Sequence, residues 1–223
     1  MQELTTIQLL IVLGPPLLLA ITLHEVAHGW IALRCGDTTA KSQGRLSLNP
    51  LRHIDPIGTV LVPGLLVVVP MLLGWPMGIL FGWAKPVPVN YHRLRQPKRD
   101  MALVALAGPS ANLIMAIGWA LAMTIGFHVQ TLLPSLSEPL LLMGGAGISV
   151  NVMLGVLNLV PIPPLDGSRV LAGVLPDRAS EAMARMEPYG LIILVALLSL
   201  GLFNVLMPLV NGIRHFILTL FFF

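Results

Sequence analysis

Residues 7–33 read IQLLIVLGPPLLLAITLHEVAHGWIAL, an apolar run whose one formal charge is Glu25. At 1.5 Å per residue the run is longer than the roughly 30 Å hydrocarbon core of a bilayer, so it predicts a spanning helix. A charge near the centre of such a helix costs roughly 2.5–3.5 kcal/mol on insertion scales, which marks Glu25 and its neighbours as a site. Those neighbours are His24 and His28, an H-E-x-x-H pattern. On a helix, residues four apart lie about 40° apart around the axis, so both imidazoles can face one ion. The carboxylate between them is placed to take a proton from a metal-activated water. With six histidines in 223 residues, chance supplies only about 0.004 such patterns. The plainer alternative is a polar seam of interhelical hydrogen bonds.

The composition agrees with a membrane setting. Of the residues, 56% are hydrophobic and 10% charged, and the mean hydropathy is +0.86. Disordered and collagenous chains are excluded. Thirteen Lys and Arg against ten Asp and Glu leave +3, too little for a nucleic-acid partner. The single cysteine, Cys35, excludes disulfide scaffolds and cysteine-based zinc modules and reads as a small buried residue. The opening residues MQELTT lack a positive flank, so the first span is expected to stay in the mature chain.

Outward from the first span, Arg34, Lys41, Arg45 and Arg52 mark a basic loop, and Lys85 to Arg99 a second. By the positive-inside rule both face the cytoplasm. Ile57 to Gly74 is then a short span, and Pro76 to Asn90, rich in Pro and Gly, an extended, hairpin-like return segment. Backbone of that kind is tolerated at membrane depth only where protein or trapped water satisfies its amides. Met101–Phe127 and Leu140–Asn158 are further helices, separated by a loop without Lys or Arg. Tyr189 onward crosses once or twice. The fold expected is an all-α multi-pass membrane domain of five or six segments with a short embedded strand or hairpin, one domain over 1–223. Trp30 and Trp75 read as interfacial anchors, and Trp119 as packing.

A catalytic zinc site wants three protein ligands and an open position. His53, His92, His128 and His215 sit in no motif. Asp166 does, in NLVPIPPLDG over 158–167, past a helix end where prolines impose extended backbone. His24 lies about 15 Å along the helix from Arg34, a depth that Asp166 can reach. The plainer reading of Asp166 is a helix N-cap.

HEVAHGW together with NLVPIPPLDG resembles the site-2 protease family of intramembrane zinc metalloproteases. GRLSLNP (44–50), AKPVPVN (84–90) and GPSAN (108–112) extend the resemblance, which covers residues 20–175. It implies one zinc held by His24, His28 and Asp166, with Glu25 as general base. Substrates are then transmembrane proteins cut near the cytoplasmic face, in a bacterial cytoplasmic membrane. Asn158 is a candidate donor to the oxyanion or the substrate backbone, with a helix-end hydrogen bond as the plainer role. Asn112 supports the site, while Gly108 and Pro109 permit close helix approach. AKPVPVN resembles the family's embedded strand, an edge for substrate addition or a lining that shields the site. No PDZ or CBS domain is evident, the pattern of a minimal member, and assembly into a homo-oligomer is left open. The alternatives are a transporter or ion relay using His24, Glu25 and His28, a prenyl-protein type peptidase with a glutamate ligand (Glu138, Glu181 or Glu187), and an inactive relative.

Overall fold

The computed structural model describes residues 5–73 and 82–222. Among them run α1 (Thr6–Arg34), α2 (Thr39–Ser42), α3 (Val62–Leu73), α4 (Pro97–His128), α5 (Pro134–Asn158), α6 (Asp166–Val174), α7 (Asp177–Met186), α8 (Gly190–Ser199) and α9 (Leu202–Phe222). Five stretches are long and apolar enough to cross a membrane: Gln8–Arg34, Pro97–His128, Pro134–Asn158, Asp177–Ser199 and Leu202–Phe222. The protein is an integral, multi-pass membrane protein.

The first helix starts at a capping box, in which Thr5 and Gln8 satisfy each other's backbone amides. It stops at Gly36, whose φ of +107° is open to glycine at little cost. Asp37 N–H then donates to Ala32 O at 2.9 Å and closes the end. Two helices begin earlier than the sequence predicts, because Pro97 and Pro134 occupy first-turn positions where a missing N–H costs nothing.

α4 and α5 pack by means of small residues. A Cβ on Gly147 would lie 2.3 Å from the Trp119 ring, and one on Gly144 2.6 Å from Met123 Cβ, so both glycines are needed for the approach. Ala116, Ala120, Ile148 and Val152 form the core of this contact, joined by Val210 and Ile217 of α9. Trp119 is the packing residue expected. Trp30 is half exposed with the Arg34 guanidinium 4.5 Å over its ring. The tail is two helices turning at Gly201, φ +95°; Leu194 and Leu198 of α8 pack with Leu165.

The short span expected after the first basic loop is helical, a π-helical turn over Pro56–Leu61, capped by Asp55, running into α3; it is shorter than the five long stretches. The embedded strand or hairpin is not formed among the described residues. Residues 82–90 form neither helix nor ladder. Pro86 and Pro88 remove alternate N–H donors, and the segment is tied down by Trp83 N–H to Gly58 O and Lys85 N–H to His53 O together with the Glu25, Arg45 and Asp37 side chains. Trp75 and the 76–81 part of the return segment lie outside the described residues.

Candidate metal centre

His24 and His28 come from one face of α1, and α6 brings Asp166 to them. Their Nε2 atoms are 3.0 Å apart. Asp166 Oδ2 is 3.1 Å from His24 Nε2 and 3.3 Å from His28 Nε2. Among the described residues no other trio of His, Cys, Asp or Glu side chains converges in this way.

The backbone determines which ring nitrogens carry protons. His28 Nδ1 lies 2.6 Å from Val104 O, and a carbonyl only accepts, so Nδ1–H donates. The same logic reaches His24 through two amides. Asn151 Nδ2 donates to Gly147 O at 2.9 Å, which turns Asn151 Oδ1 toward Asn112. Asn112 Nδ2 donates to it at 3.1 Å and to Ala20 O at 3.3 Å. Asn112 Oδ1 is left to accept from His24 Nδ1–H at 2.6 Å. Both rings therefore turn Nε2 lone pairs inward.

With both rings neutral, three acceptors meet with no donor among them, and Asp166 Oδ2 is buried without a hydrogen-bond partner. Such a cluster is repulsive unless a cation joins it. Ligands held at about 2.0–2.1 Å around a tetrahedral zinc are about 3.3–3.4 Å apart, close to the separations seen. Two imidazoles and a carboxylate are also a donor set that suits zinc. The residues fit the metal.

Two glycines make the convergence possible. A Cβ on Gly108 would lie 2.5 Å from His28 Nε2 and 2.6 Å from His24 Cε1, so α4 reaches the imidazoles only with glycine there. A Cβ on Gly167 would lie 2.2 Å from Leu159 O. The end of α5 and the start of α6 touch at this point, folding Asp166 back on the site. The prolines between them form a compact turn instead of the extended run predicted, with Leu165 N–H donating to Ile162 O at 2.9 Å.

Glu25 is held by backbone: Val87 N–H, in the 82–90 segment, donates to its Oε2 at 2.7 Å. No protein partner holds Oε1 among the described residues. Asn158 Nδ2 donates to Leu154 O of its own helix at 3.0 Å, the helix-end bond of the plainer reading. His53 and His128 are bonded to the backbone oxygens of Ser47 and Thr124. Glu187 pairs with Arg169 and Glu181 lies near Arg185, and neither joins the converging group of His24, His28 and Asp166. Asn151 is the residue that sequence reasoning missed, since no local pattern marks it.

The sequence profile described as Peptidase family M50 matches residues 135–201. "Putative zinc metalloprotease YwhC" of Bacillus subtilis (strain 168) is 38% identical over 207 residues, covering 92% of this chain and 88% of that protein. Rip2 of Mycolicibacterium smegmatis, under the same description, is 31% identical over 185 residues, covering 81% of this chain and 64% of its own. MJ0611 of Methanocaldococcus jannaschii, again so described, is 30% identical over 103 residues, 45% of this chain and 50% of its own. No solved structure gives a significant match.

Proposed function

The chain belongs to peptidase family M50, the site-2 proteases, and is an intramembrane zinc metalloprotease; from that premise we propose that His24, His28 and Asp166 hold the zinc, Glu25 is the general base, and membrane-spanning proteins are the substrates. The observation that carries the ligand set is the meeting of three buried acceptor atoms at 3.0–3.3 Å without a donor. The ion-relay alternative finds no support in the family.

Bound there, zinc supplies Lewis acidity, lowering the pKa of water toward about 7 and polarising a peptide carbonyl. Glu25 accepts the proton from water at Oε1, because Oε2 is already held by Val87 N–H. The same carboxyl then returns the proton to the departing amine. Asn112 and Val104 keep both imidazoles in the tautomer that leaves Nε2 free. Neighbouring helices exclude water from the rings, which are each about 8% exposed.

The charge distribution supports cleavage near the cytoplasmic face and fits a bacterial cytoplasmic membrane. Arg34 ends α1, and Lys98 and Arg99 begin α4, whereas residues 129–133 at the other end of α4 contain no Lys or Arg.

The test uses detergent-purified wild type, Glu25→Gln and Asp166→Ala, with zinc measured by mass spectrometry and a tagged single-span protein as substrate. One zinc per chain in wild type and Glu25→Gln, its loss in Asp166→Ala, and a cleavage fragment from wild type alone are expected. Full zinc in Asp166→Ala would remove that ligand, and an undiminished fragment from Glu25→Gln would remove the base.

A further inference from the structure

We propose that Arg45 is a positioning residue for Glu25, acting through the single peptide unit between Pro86 and Val87. The inference rests on the reading of Glu25 as general base. Arg45 follows α2, and its side chain is buried, with a relative exposure of 9%. Its Nη2 donates to Lys85 O at 2.8 Å and to Pro86 O at 3.3 Å. Pro86 O and Val87 N are opposite ends of one planar peptide group. The other end donates to Glu25 Oε2 at 2.7 Å. The guanidinium therefore fixes the carbonyl end of the group whose amide end fixes the carboxylate. A rigid plane held at its oxygen has its N–H direction set, and a bond at one end polarises the peptide toward a stronger bond at the other.

The flanking residues are anchored on both sides of this peptide. Pro86 and Pro88 carry no N–H, so Val87 is the sole donor between them. Lys85 N–H is committed to His53 O at 2.9 Å, and Asn90 N–H to Asp37 Oδ2 at 2.6 Å. The segment is thus pinned on both sides of Val87, and Arg45 fixes the plane between the pins. A buried guanidinium is an expensive choice for that task. Among the described residues no carboxylate lies within ion-pair distance of it, and its Nε has no partner. A loop that only had to fold would be held more cheaply by a neutral donor. The charge earns its place through what it does to the peptide beyond it.

The consequence is a division of labour on Glu25. One carboxylate oxygen is fixed by the segment, and the other is kept pointing where a proton is to be taken. Loss of Arg45 leaves the base present but misdirected, which lowers turnover without removing the metal ligands.

The experiment uses the zinc-loaded, full-length protein in detergent, as wild type, Arg45→Gln, Arg45→Lys and Glu25→Gln. Nitrogen-labelled valine lets hydrogen exchange of the Val87 amide be read by NMR, without substrate. Zinc content and kcat and KM on the tagged single-span protein are measured alongside. In Arg45→Gln the Val87 amide is expected to exchange at least about tenfold faster and kcat to fall about 10–100-fold, with zinc at one per chain and KM little changed. Arg45→Lys, which keeps a charged donor, restores part of both. Unchanged Val87 protection in both Arg45 variants overturns the proposal, as does a rise in KM with kcat preserved. If Arg45→Gln loses zinc or its fold, Arg45→Lys decides by the same two readouts. Equal cleavage by wild type and Glu25→Gln would instead sink the role of Glu25, while the exchange data still judge the Arg45 link.

Discussion

Asn112 donates from Nδ2 to Oδ1 of Asn151 at 3.1 Å across the α4–α5 interface, with both side chains fully buried. Neither residue is a metal ligand in the reading above, yet the bond between them, with that from Asn112 to Ala20 O, orients the amide that fixes which nitrogen of His24 carries its proton. An amide pair inside a membrane protein is well paired here, because the chain begins on Gly147 O and ends on an imidazole.

Replacing Asn151 by Leu removes one of the two acceptors that orient Asn112, leaving only Ala20 O. The expected outcome is zinc binding weakened about 10–100-fold through misorientation of His24, with a stability loss of about 1–3 kcal/mol for the exposed hydrogen-bond deficit. Chelator competition reads the affinity, and thermal unfolding in detergent reads the stability. Unaltered zinc affinity would show that His24 needs no such orientation.

Gly108→Ala should abolish zinc binding, because the added methyl would sit 2.5 Å from His28 Nε2 and Cε1. Gly118 is the control on the same helix, where an added Cβ meets nothing within 4 Å. Gly118→Ala should keep zinc and gain up to about 1 kcal/mol from helix propensity. Metal content of the two variants separates a local steric effect from a general effect of altering α4.

The parts of the site that were legible in sequence were those whose geometry is local. His24, Glu25 and His28 sit on one helix at a spacing that the helix itself turns into a face, so no tertiary knowledge was needed. Asp166 was legible as a residue but not as a path. Its approach depends on Gly167 touching Leu159 O and on a proline turn that reads equally well as extended chain. Asn151 lay hidden because its function comes from packing between two helices, which no local pattern records. In the 82–90 segment the prolines forbid a helix, as read, and they also remove donors that a regular ladder needs; its contacts are two backbone bonds, to Gly58 O and His53 O, and the Glu25, Arg45 and Asp37 side chains.

Asp37 makes that anchoring pH-dependent. Burial opposes its ionisation, but donors from Thr39 and the Asn90 amide outweigh burial and hold its carboxyl below the usual range. A depressed folded-state pKa stabilises above the unfolded value of about 3.9 and loses that stabilisation as pH falls through the folded value. Wild type should therefore exceed Asp37→Asn in thermal stability from neutral pH down to about pH 4, with the gap closing below it. A gap that stayed constant to pH 3 would mean the charge of Asp37 contributes nothing.

Zinc removal should reverse the ranking of wild type and Asp166→Asn. With zinc bound, wild type is the more stable, since a ligand that binds only the folded state adds about 4 kcal/mol at a thousandfold excess over its dissociation constant. Without zinc, wild type keeps three buried acceptors within 3.3 Å of one another, one of them a carboxylate oxygen with no donor. An asparagine at this position removes the charge and supplies an N–H that an inward Nε2 lone pair can accept. Chelated Asp166→Asn should then unfold at a higher temperature than chelated wild type, by about 1–3 kcal/mol in stability. The comparison belongs at about pH 9, above the ordinary imidazole range, so that protons do not substitute for the metal. Thermal unfolding of both proteins, with chelator and with added zinc, gives the four values required. If chelated wild type remains the more stable, the acceptor cluster is not strained without a cation, and the physical case for a metal at these three residues fails.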